Sequence, residues 1–337
     1  MQTNYFVPES GVALLLRTAF FVALLFSPNL IVAQNSVELL GSRCTPAMDQ
    51  SITEPGTNRN YVLDYPCDLK AGEPVTLILN LHGGGSNTRY QHGYFPAFEY
   101  KEKYRLVIAT PYSPVRRWSE ADDTYLQNIV SGMIDAVGED NVRALWLVGH
   151  SQGGSTSRRL VCTEFFEDKV DGILSLSGGR LGGSPERAPD AGRPRQNDDP
   201  EPESPPAART PRPELEQPGC NFSHIFAIGE HEIIDLPTTS SWAQRYHCAA
   251  RVPQGDVLDT EAGYVHDSGH QNPASRAWGR LPKGGTSEVF VYPNCDDWRI
   301  VADVVRLDKG HTEGLEPRIM DVILGMMVRA GGGKVGD

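Results

Sequence analysis

Short apolar runs rich in β-branched residues recur along this chain of 337 residues, separated by stretches with apolar residues at helical intervals. Residues 75–81, VTLILNL, are almost continuously apolar, which is typical of a strand buried on both faces of a sheet. In residues 121–137 the apolar positions recur every three or four residues, which predicts an amphipathic helix. The other predicted strands are 105–110, 144–149, 172–178, 224–229 and 299–307, and the other predicted helices are 155–165 and 316–327. Short strands alternating with helices predict an α/β fold, with a mostly parallel central sheet flanked by helices.

Two stretches interrupt this alternation. Residues 181–219 are rich in Pro, Arg, Asp and Glu and contain very few large apolar side chains, so they cannot bury enough surface to offset the entropy lost on ordering. We predict a disordered or loosely held insertion there, which is either a passive surface excursion or a lid over an active site. Residues 256–292 contain aromatic residues among glycines and prolines, and for them we predict an ordered irregular loop.

The N-terminus has the features of a signal peptide. Arg17 precedes an apolar run, and the small residue Ala33 stands where cleavage would occur. The run is interrupted by Pro28 and Asn29 and is shorter than the roughly 20 apolar residues that a membrane-spanning helix needs. We therefore expect an exported protein, secreted or periplasmic. Its predicted parts are a signal peptide, a polar N-terminal segment and one folded domain, over residues 1–33, 34–60 and 61–330.

Charge and cysteine content narrow the class of protein. The formal net charge is -12 at pH 7, so the chain lacks the excess of positive charge that is typical of proteins that bind nucleic acid or anionic membranes. All six cysteines follow the predicted cleavage site, and an even number in an exported chain favours disulfides. Sequence alone leaves several pairings open. The pairing that we favour is Cys44–Cys67, Cys162–Cys220 and Cys248–Cys295.

The segment Gly149-His150-Ser151-Gln152-Gly153 stands between a predicted strand and a predicted helix. In that context G-x-S-x-G is a nucleophile elbow, in which the chain reverses sharply and the serine hydroxyl is exposed above the sheet. The two glycines remove side chains that would clash in the turn. The helix N-terminus behind the serine places backbone N–H groups near developing negative charge. Ser151 is therefore a candidate nucleophile.

A second glycine-rich motif, LHGGGS at residues 81–86, follows the predicted strand 75–81. Backbone N–H groups in such a loop can approach an oxyanion closely, although a plain glycine turn has the same composition. Because both motifs lie at the carboxyl ends of buried strands, we predict that they form one site. The candidate oxyanion donors are the N–H groups of Gln152 and of Gly84, or a glycine next to it.

With these motifs in this order, the chain resembles the α/β-hydrolase superfamily. The order of LHGGG, then Trp118 and the helix start at Asp122-Asp123, then GHSQGG, is similar to secreted esterases of the polyhydroxybutyrate depolymerase and feruloyl esterase type. The resemblance covers roughly residues 61–327 apart from 181–219. It implies an α/β-hydrolase fold and a catalytic triad in the chain order nucleophile, acid, histidine.

That order places the histidine of the triad after the last strand, where the chain has His311. The alternatives, which all precede that strand, are His231, His247, His266 and His270. The acid should follow the strand 224–229. There the resembling esterases have G-x-x-D, whereas this chain has Glu232 in place of the aspartate. We expect Glu232 to be the acid, because a glutamate can also orient and stabilise the imidazole. Asp235 and Glu230 are the alternatives.

Three more residues beside these motifs are candidates for contacting a substrate. His82 and His150 belong to the motifs themselves. Trp118 lies on the loop after the strand 105–110, where it either walls the substrate site or packs in the core.

The sequence thus predicts a secreted serine hydrolase that cleaves carboxylic esters through Ser151, His311, Glu232 and an acyl-enzyme intermediate. This chemistry needs no metal or organic cofactor. The expected partner is a small or polymeric ester, with no nucleic acid and, after signal cleavage, no membrane. One alternative is a serine peptidase of the prolyl-oligopeptidase type, which shares the elbow but usually carries a large propeller domain. The other is a non-catalytic binding protein on a hydrolase scaffold.

Overall fold

The computed structural model describes residues 38–44, 51–188, 217–264, 279 and 283–329, all within one compact unit, Asn35–Asp337. The predicted signal peptide, residues 1–33, lies outside the described residues. In the described ranges, no helix is long and apolar enough to cross a membrane. The strands are β1 Ile52–Glu54, β2 Arg59–Asp64, β3 Val75–Leu81, β4 Leu106–Pro111, β5 Val142–His150, β6 Gly172–Leu176, β7 Glu186–Arg187, β8 Ser223–Gly229, β9 Ile233–Asp235, β10 Val252–Asp259, β11 Gly285–Tyr292 and β12 Val301–Arg306. The helices are α1 Thr88–Tyr94, α2 Lys101–Tyr104, α3 Asp123–Val137, α4 Gln152–Leu160, α5 Ser241–Arg245 and α6 Pro317–Met327.

Ten of these strands form one sheet in the order β1-β2-β4-β3-β5-β6-β8-β12-β11-β10. The six strands from β4 to β12 in that order are parallel to one another. On each side two further strands extend the sheet, and each of them pairs with its inner neighbour in antiparallel orientation. A mostly parallel sheet with helices on both faces is the predicted α/β-hydrolase fold, and the prediction is confirmed. Because the central strands are parallel, their carboxyl ends meet along one edge, where ligands of open α/β sheets bind.

The alternation of side chains along each strand separates the core into two layers. All seven residues of β3 are buried. Leu77 and Leu79 pack in the layer that contains the apolar face of α3, whereas Ile78 packs in the layer that contains α6. A strand covered on both faces needs apolar residues at successive positions, which is why these strands are continuous apolar runs in the sequence.

The prediction of an irregular loop over residues 256–292 is wrong at both ends. The first end belongs to β10 and the last eight residues are β11, and these strands extend the sheet beyond β12 in antiparallel order. Most side chains of β10 are exposed, and it contains Pro253 and Gly255, so it lacks the apolar pattern of a strand. Residues 265–278 and 280–282 of the predicted loop lie outside the described residues.

Three disulfides are present, and they join the cysteines in the pairs that the sequence suggested: Cys44–Cys67, Cys162–Cys220 and Cys248–Cys295. The second pair connects the segment after α4 to the segment before β8, with a sequence separation of 58 residues. Closing a loop of that length in the unfolded chain stabilises the folded state by about 4 kcal/mol. This bridge therefore ties the helix behind Ser151 to the strand that leads to Glu232.

The predicted insertion, residues 181–219, is attached to the fold at both described ends. Leu181 is buried in the core, and β7 pairs with β9 in a separate two-stranded sheet. At the other end, Arg245 donates hydrogen bonds to the carbonyl oxygens of Pro218 and Gly219. Residues 181–188 and 217–219 of the predicted insertion therefore contact the rest of the fold. Residues 189–216 lie outside the described residues.

Strand β8 carries a buried histidine whose protonation the fold opposes. The Nε2 atom of His224 accepts a hydrogen bond from the Leu181 N–H at 3.2 Å. Burial, assisted by the positive charge of Arg180, lowers the pKa of His224 from 6.5 to about 3. The unfolded chain therefore binds this proton near pH 6.5, whereas the folded chain resists binding it until about pH 3.

We expect the free energy of unfolding to fall as the pH drops below 6.5, with His224 contributing a slope of about 1.4 kcal/mol per pH unit. His224→Gln keeps an acceptor for Leu181 N–H without titrating, so its stability should depend less steeply on pH between 4 and 6.5. Urea unfolding across that range measures the slope. His247, which is exposed and paired with Asp296, supplies the control His247→Gln. Equal slopes in the native protein and His224→Gln would contradict the prediction.

Candidate active site

Ser151 lies at the sharp turn between β5 and α4 with φ 52° and ψ -114°, a conformation that residues with side chains rarely adopt. A Cβ atom on Gly149 would lie 2.1 Å from the carbonyl carbon of Gly153, and a Cβ on Gly153 would lie 2.2 Å from the carbonyl oxygen of Leu81. Both distances are far below van der Waals contact, so the turn closes only with glycine at these positions. The surrounding backbone thereby holds Ser151 in its strained conformation at the carboxyl end of β5.

The structure brings Glu232 and His311 together. Glu232 lies in a short helical turn directly after β8, and His311 lies in the loop after β12, the parallel neighbour of β8. The Nδ1 atom of His311 is 2.6 Å from Oε2 of Glu232. With Nδ1–H donated to the carboxylate, Nε2 is the basic nitrogen of the neutral ring. The ring of His150, next to Ser151 in the chain, has its centroid 4.6 Å from that of His311.

Glu232 is 1% exposed, and each of its oxygens has a partner. Oε1 accepts hydrogen bonds from Ser177 Oγ at 2.6 Å and from the Gly229 N–H at 3.2 Å. Burial acts to raise the pKa of Glu232, but His311 and the Ser177 hydrogen bond outweigh it and hold that pKa below the usual 4.5. The side chain is therefore an ionised carboxylate, which is the form that stabilises an imidazolium.

Ser177 is a site residue that sequence reasoning missed. It follows β6 directly, has a positive φ of 54°, and donates its N–H to the carbonyl oxygen of Ala227 on β8. A signal was present in the sequence, because a Ser-Gly-Gly segment, residues 177–179, ends the predicted strand 172–178. The structure then places β6 next to β8, the strand that leads to Glu232.

The two alternative acids lie in other surroundings. Glu230 accepts a hydrogen bond from the Asp308 N–H at 2.7 Å. Asp235 is the last residue of β9, and its side chain is exposed. In the part of the chain that the structure describes, neither carboxylate contacts a histidine.

The glycine loop of LHGGGS lies against the elbow. A Cβ atom on Gly83 would lie 3.3 Å from Cβ of Ser151, and a Cβ on Gly84 would lie 3.1 Å from Oε1 of Gln152. Among the described residues, no protein acceptor binds the backbone N–H groups of Gly83, Gly84 and Gln152. Unpaired N–H groups beside a nucleophile are what an oxyanion hole requires.

Trp118 and His82 support this glycine loop from inside the protein. Trp118 is 5% exposed, and its Nε1–H donates to the carbonyl oxygen of His82 at 2.8 Å. Its backbone N–H and carbonyl both bind the side-chain amide of Gln152, each at 3.2 Å. The His82 ring is fully buried, 4.6 Å from the Trp118 ring between centroids. Both side chains are thus buried in the fold, and a substrate contact by either of them stays a prediction.

His150, the third candidate for a substrate contact, is buried as well. Its ring packs against the ring of Tyr94, with centroids 4.2 Å apart. Burial, with the nearby charge of His311 as a second cause, lowers the pKa of His150 well below its usual range. His150 is thus a buried, neutral side chain behind the elbow, and its predicted contact with a substrate stays a prediction.

The remaining described histidines pair with groups away from Ser151. His92 binds Asp64, His231 binds Asp308, His247 binds Asp296, and His224 lies in the core. His266 and His270 lie outside the described residues.

Comparison with known proteins finds distant structural likenesses. No family model and no curated protein matches this chain. Among solved structures it is similar to an acetyl xylan esterase from Aspergillus awamori, at 14% identity and a TM-score of 0.46, over 82% of this chain and 98% of that one. An S-formylglutathione hydrolase from Staphylococcus aureus has 18% identity and a TM-score of 0.30, over 37% of this chain and 54% of that one. Est1E from Butyrivibrio proteoclasticus has 17% identity and a TM-score of 0.24, over 35% and 47%. The chain's own strand order, elbow and paired Glu232 and His311 define it as an α/β-hydrolase fold.

Proposed function

We propose that this chain is an exported serine esterase that cleaves carboxylic ester bonds through an acyl-enzyme intermediate. The observation that carries the proposal is the 2.6 Å contact between Glu232 and His311 beside the strained turn at Ser151. A buried carboxylate on Nδ1 fixes the imidazole tautomer that a general base needs. The choice of an ester as substrate rests on the motif order, which is similar to that of secreted esterases.

In the proposed reaction, Nε2 of His311 takes the proton of the Ser151 hydroxyl as Oγ attacks the ester carbonyl. Glu232 stabilises the imidazolium that forms. The N–H groups of Gln152 and Gly84 stabilise the tetrahedral oxyanion, with each such donor typically worth about 3 kcal/mol. His311 then gives its proton to the leaving alcohol, and an activated water releases the acyl group from Ser151.

The disulfides support the proposal of export. Such bonds persist in oxidising compartments and are rare in the cytosol. All six cysteines are paired in the structure, and all follow the predicted signal peptide. We therefore place the mature enzyme in the periplasm or outside the cell, acting on a small or polymeric ester.

Labelling with a fluorophosphonate probe, combined with substrate turnover, tests the function. We expect the folded protein to be labelled and to hydrolyse p-nitrophenyl esters, but not alanyl-prolyl p-nitroanilide. A series of acyl chain lengths, with methyl ferulate and polyhydroxybutyrate, then defines the ester class. Turnover of the peptide alone would favour the peptidase alternative, and absence of labelling would favour a binding protein.

The matched control for labelling is Ser155→Ala. Ser155 lies one helical turn after Ser151 on α4, and its hydroxyl donates to the carbonyl oxygen of Gly178. Labelling that depends on Ser155 rather than Ser151 would overturn the assignment of the nucleophile.

A further inference from the structure

The loop that carries His311 is held by side chains from three other parts of the fold. Four successive backbone carbonyl oxygens, those of residues 311–314, each accept a hydrogen bond from a buried side chain. The four bonds are His150 Nε2 to His311 O at 2.8 Å, Tyr90 OH to Thr312 O at 2.9 Å, Arg306 Nη1 to Glu313 O at 2.6 Å, and Arg306 Nη2 to Gly314 O at 2.6 Å. An irregular loop has no ladder partners of its own, so these donors determine where its backbone lies.

Ion pairs in turn fix the side chain of Arg306, which donates to the last two of these carbonyl oxygens. Arg306 is buried, and its guanidinium binds Oε2 of Glu316 at 2.9 Å. The other oxygen of that carboxylate is 2.8 Å from Nζ of Lys309, which is also buried. Within the loop, the Gly310 N–H donates to Oε2 of Glu313 at 2.7 Å. The loop is thus anchored on both sides of His311, and Arg306 is not free to swing away.

His150 is the donor that links the base to the nucleophile. It is adjacent to Ser151 in the chain, and its Nε2–H binds the backbone of His311 itself. Its Nδ1 faces the glycine loop, because a Cβ atom on Gly83 would lie 2.9 Å from it. The rings of Tyr94 and Tyr90 pack against the imidazole, with centroids 4.2 and 5.7 Å away. One buried ring therefore contacts the segments that carry the proposed nucleophile, the proposed base and the glycine loop.

We propose that His150 is a positioning residue that, with Tyr90 and Arg306, sets the position of His311 relative to Ser151. The proposal rests on the proposed esterase function. His150 contacts no substrate and transfers no proton in this role, so its loss lowers kcat and leaves KM nearly unchanged. The hydrogen bond from Nε2, rather than the bulk of the ring, is the feature that matters.

Two substitutions separate the hydrogen bond from the packing. His150→Leu fills most of the volume without a donor, and His150→Gln keeps an N–H near the position of Nε2. A misplacement of about 1 Å can cost about 100-fold in rate, so we expect kcat on p-nitrophenyl acetate to fall roughly 10- to 100-fold in the leucine variant. The glutamine variant should recover most of that loss, with KM within about twofold in both.

Tyr90→Phe removes a second donor and has a matched control. The hydroxyl of Tyr100 donates to the carbonyl oxygen of Pro317 at 2.6 Å, just beyond the loop. We expect Tyr90→Phe to lower kcat several-fold and Tyr100→Phe to leave it unchanged, although each loses one bond from a tyrosine to a carbonyl. This pair decides the question if His150→Leu does not fold.

Hydrogen exchange provides a readout that does not depend on activity. The N–H of Gly310 donates to the Glu313 carboxylate inside the loop, and the N–H of Leu315 donates to the carbonyl oxygen of Tyr94 on α1 at 2.9 Å. They should exchange faster in His150→Leu and Tyr90→Phe, but not in Tyr100→Phe. Faster exchange in these variants, together with a native protein that the fluorophosphonate does not label, would overturn the esterase function and keep the positioning role. Unchanged exchange with unchanged kcat, or equal losses in His150→Gln and His150→Leu, would overturn the positioning role.

Discussion

Ser151→Ala should lower kcat/KM for p-nitrophenyl acetate by about six orders of magnitude without unfolding the protein. The rate is lost because the substitution removes the hydroxyl that forms the acyl-enzyme in the proposed reaction. The fold is kept because the strained turn depends on close backbone contacts at Gly149 and Gly153, not on the hydroxyl. Initial rates and a thermal unfolding curve measure the two effects.

Ser155→Ala is the control for this prediction as well, and its rate should stay within about twofold of the native rate. A Ser151→Ala protein that keeps its cooperative unfolding transition and more than a tenth of its activity would exclude the proposed nucleophile. A variant that fails to fold would instead contradict the account of the turn.

Glu232→Gln should lower kcat by about four orders of magnitude. An amide in this position can present N–H to Nδ1 of His311, which favours the tautomer with Nε2 protonated and removes the general base. It also cannot stabilise the imidazolium by charge. The measurement is kcat at neutral pH, with circular dichroism to verify the fold.

Asp235→Asn is the matched control for Glu232→Gln. Asp235 lies only three residues further along the chain, but its side chain is exposed at the end of β9. We expect its kcat to remain within about twofold, because a surface substitution away from the triad has little effect on it. If the asparagine variant is the more damaged of the two, the acid is Asp235 and the contact with His311 seen here is not the catalytic one.

The sequence predicted the features that are determined by residues close together in the chain. Residues 75–81 are a strand with the predicted bounds, because a strand covered on both faces must be apolar throughout. The turn at Ser151 was predictable because its geometry demands two glycines at fixed spacing. The pairing of Glu232 with His311 was predictable only through the chain order that the resemblance implies, and residue type alone left Glu230 and Asp235 open.

Other features depend on contacts between residues far apart in the chain. Trp118 packs on His82, 36 positions away, and nothing in the local sequence distinguishes this from an exposed position. The bond from His150 to His311 spans 161 positions. Such contacts follow from the strand order of the sheet, so the roles of these side chains emerge only from the assembled fold.

The outermost strand has a consequence for the behaviour of the protein at high concentration. Among the described strands, β10 pairs with β11 alone and has an open edge. Pro253 has no N–H, and the register shifts between Pro253 and Asp256, which bends the strand. An edge of this kind is a poor template for pairing with another molecule's sheet. The proline and the irregular register that make this strand hard to recognise in the sequence therefore also protect the protein against edge-to-edge aggregation.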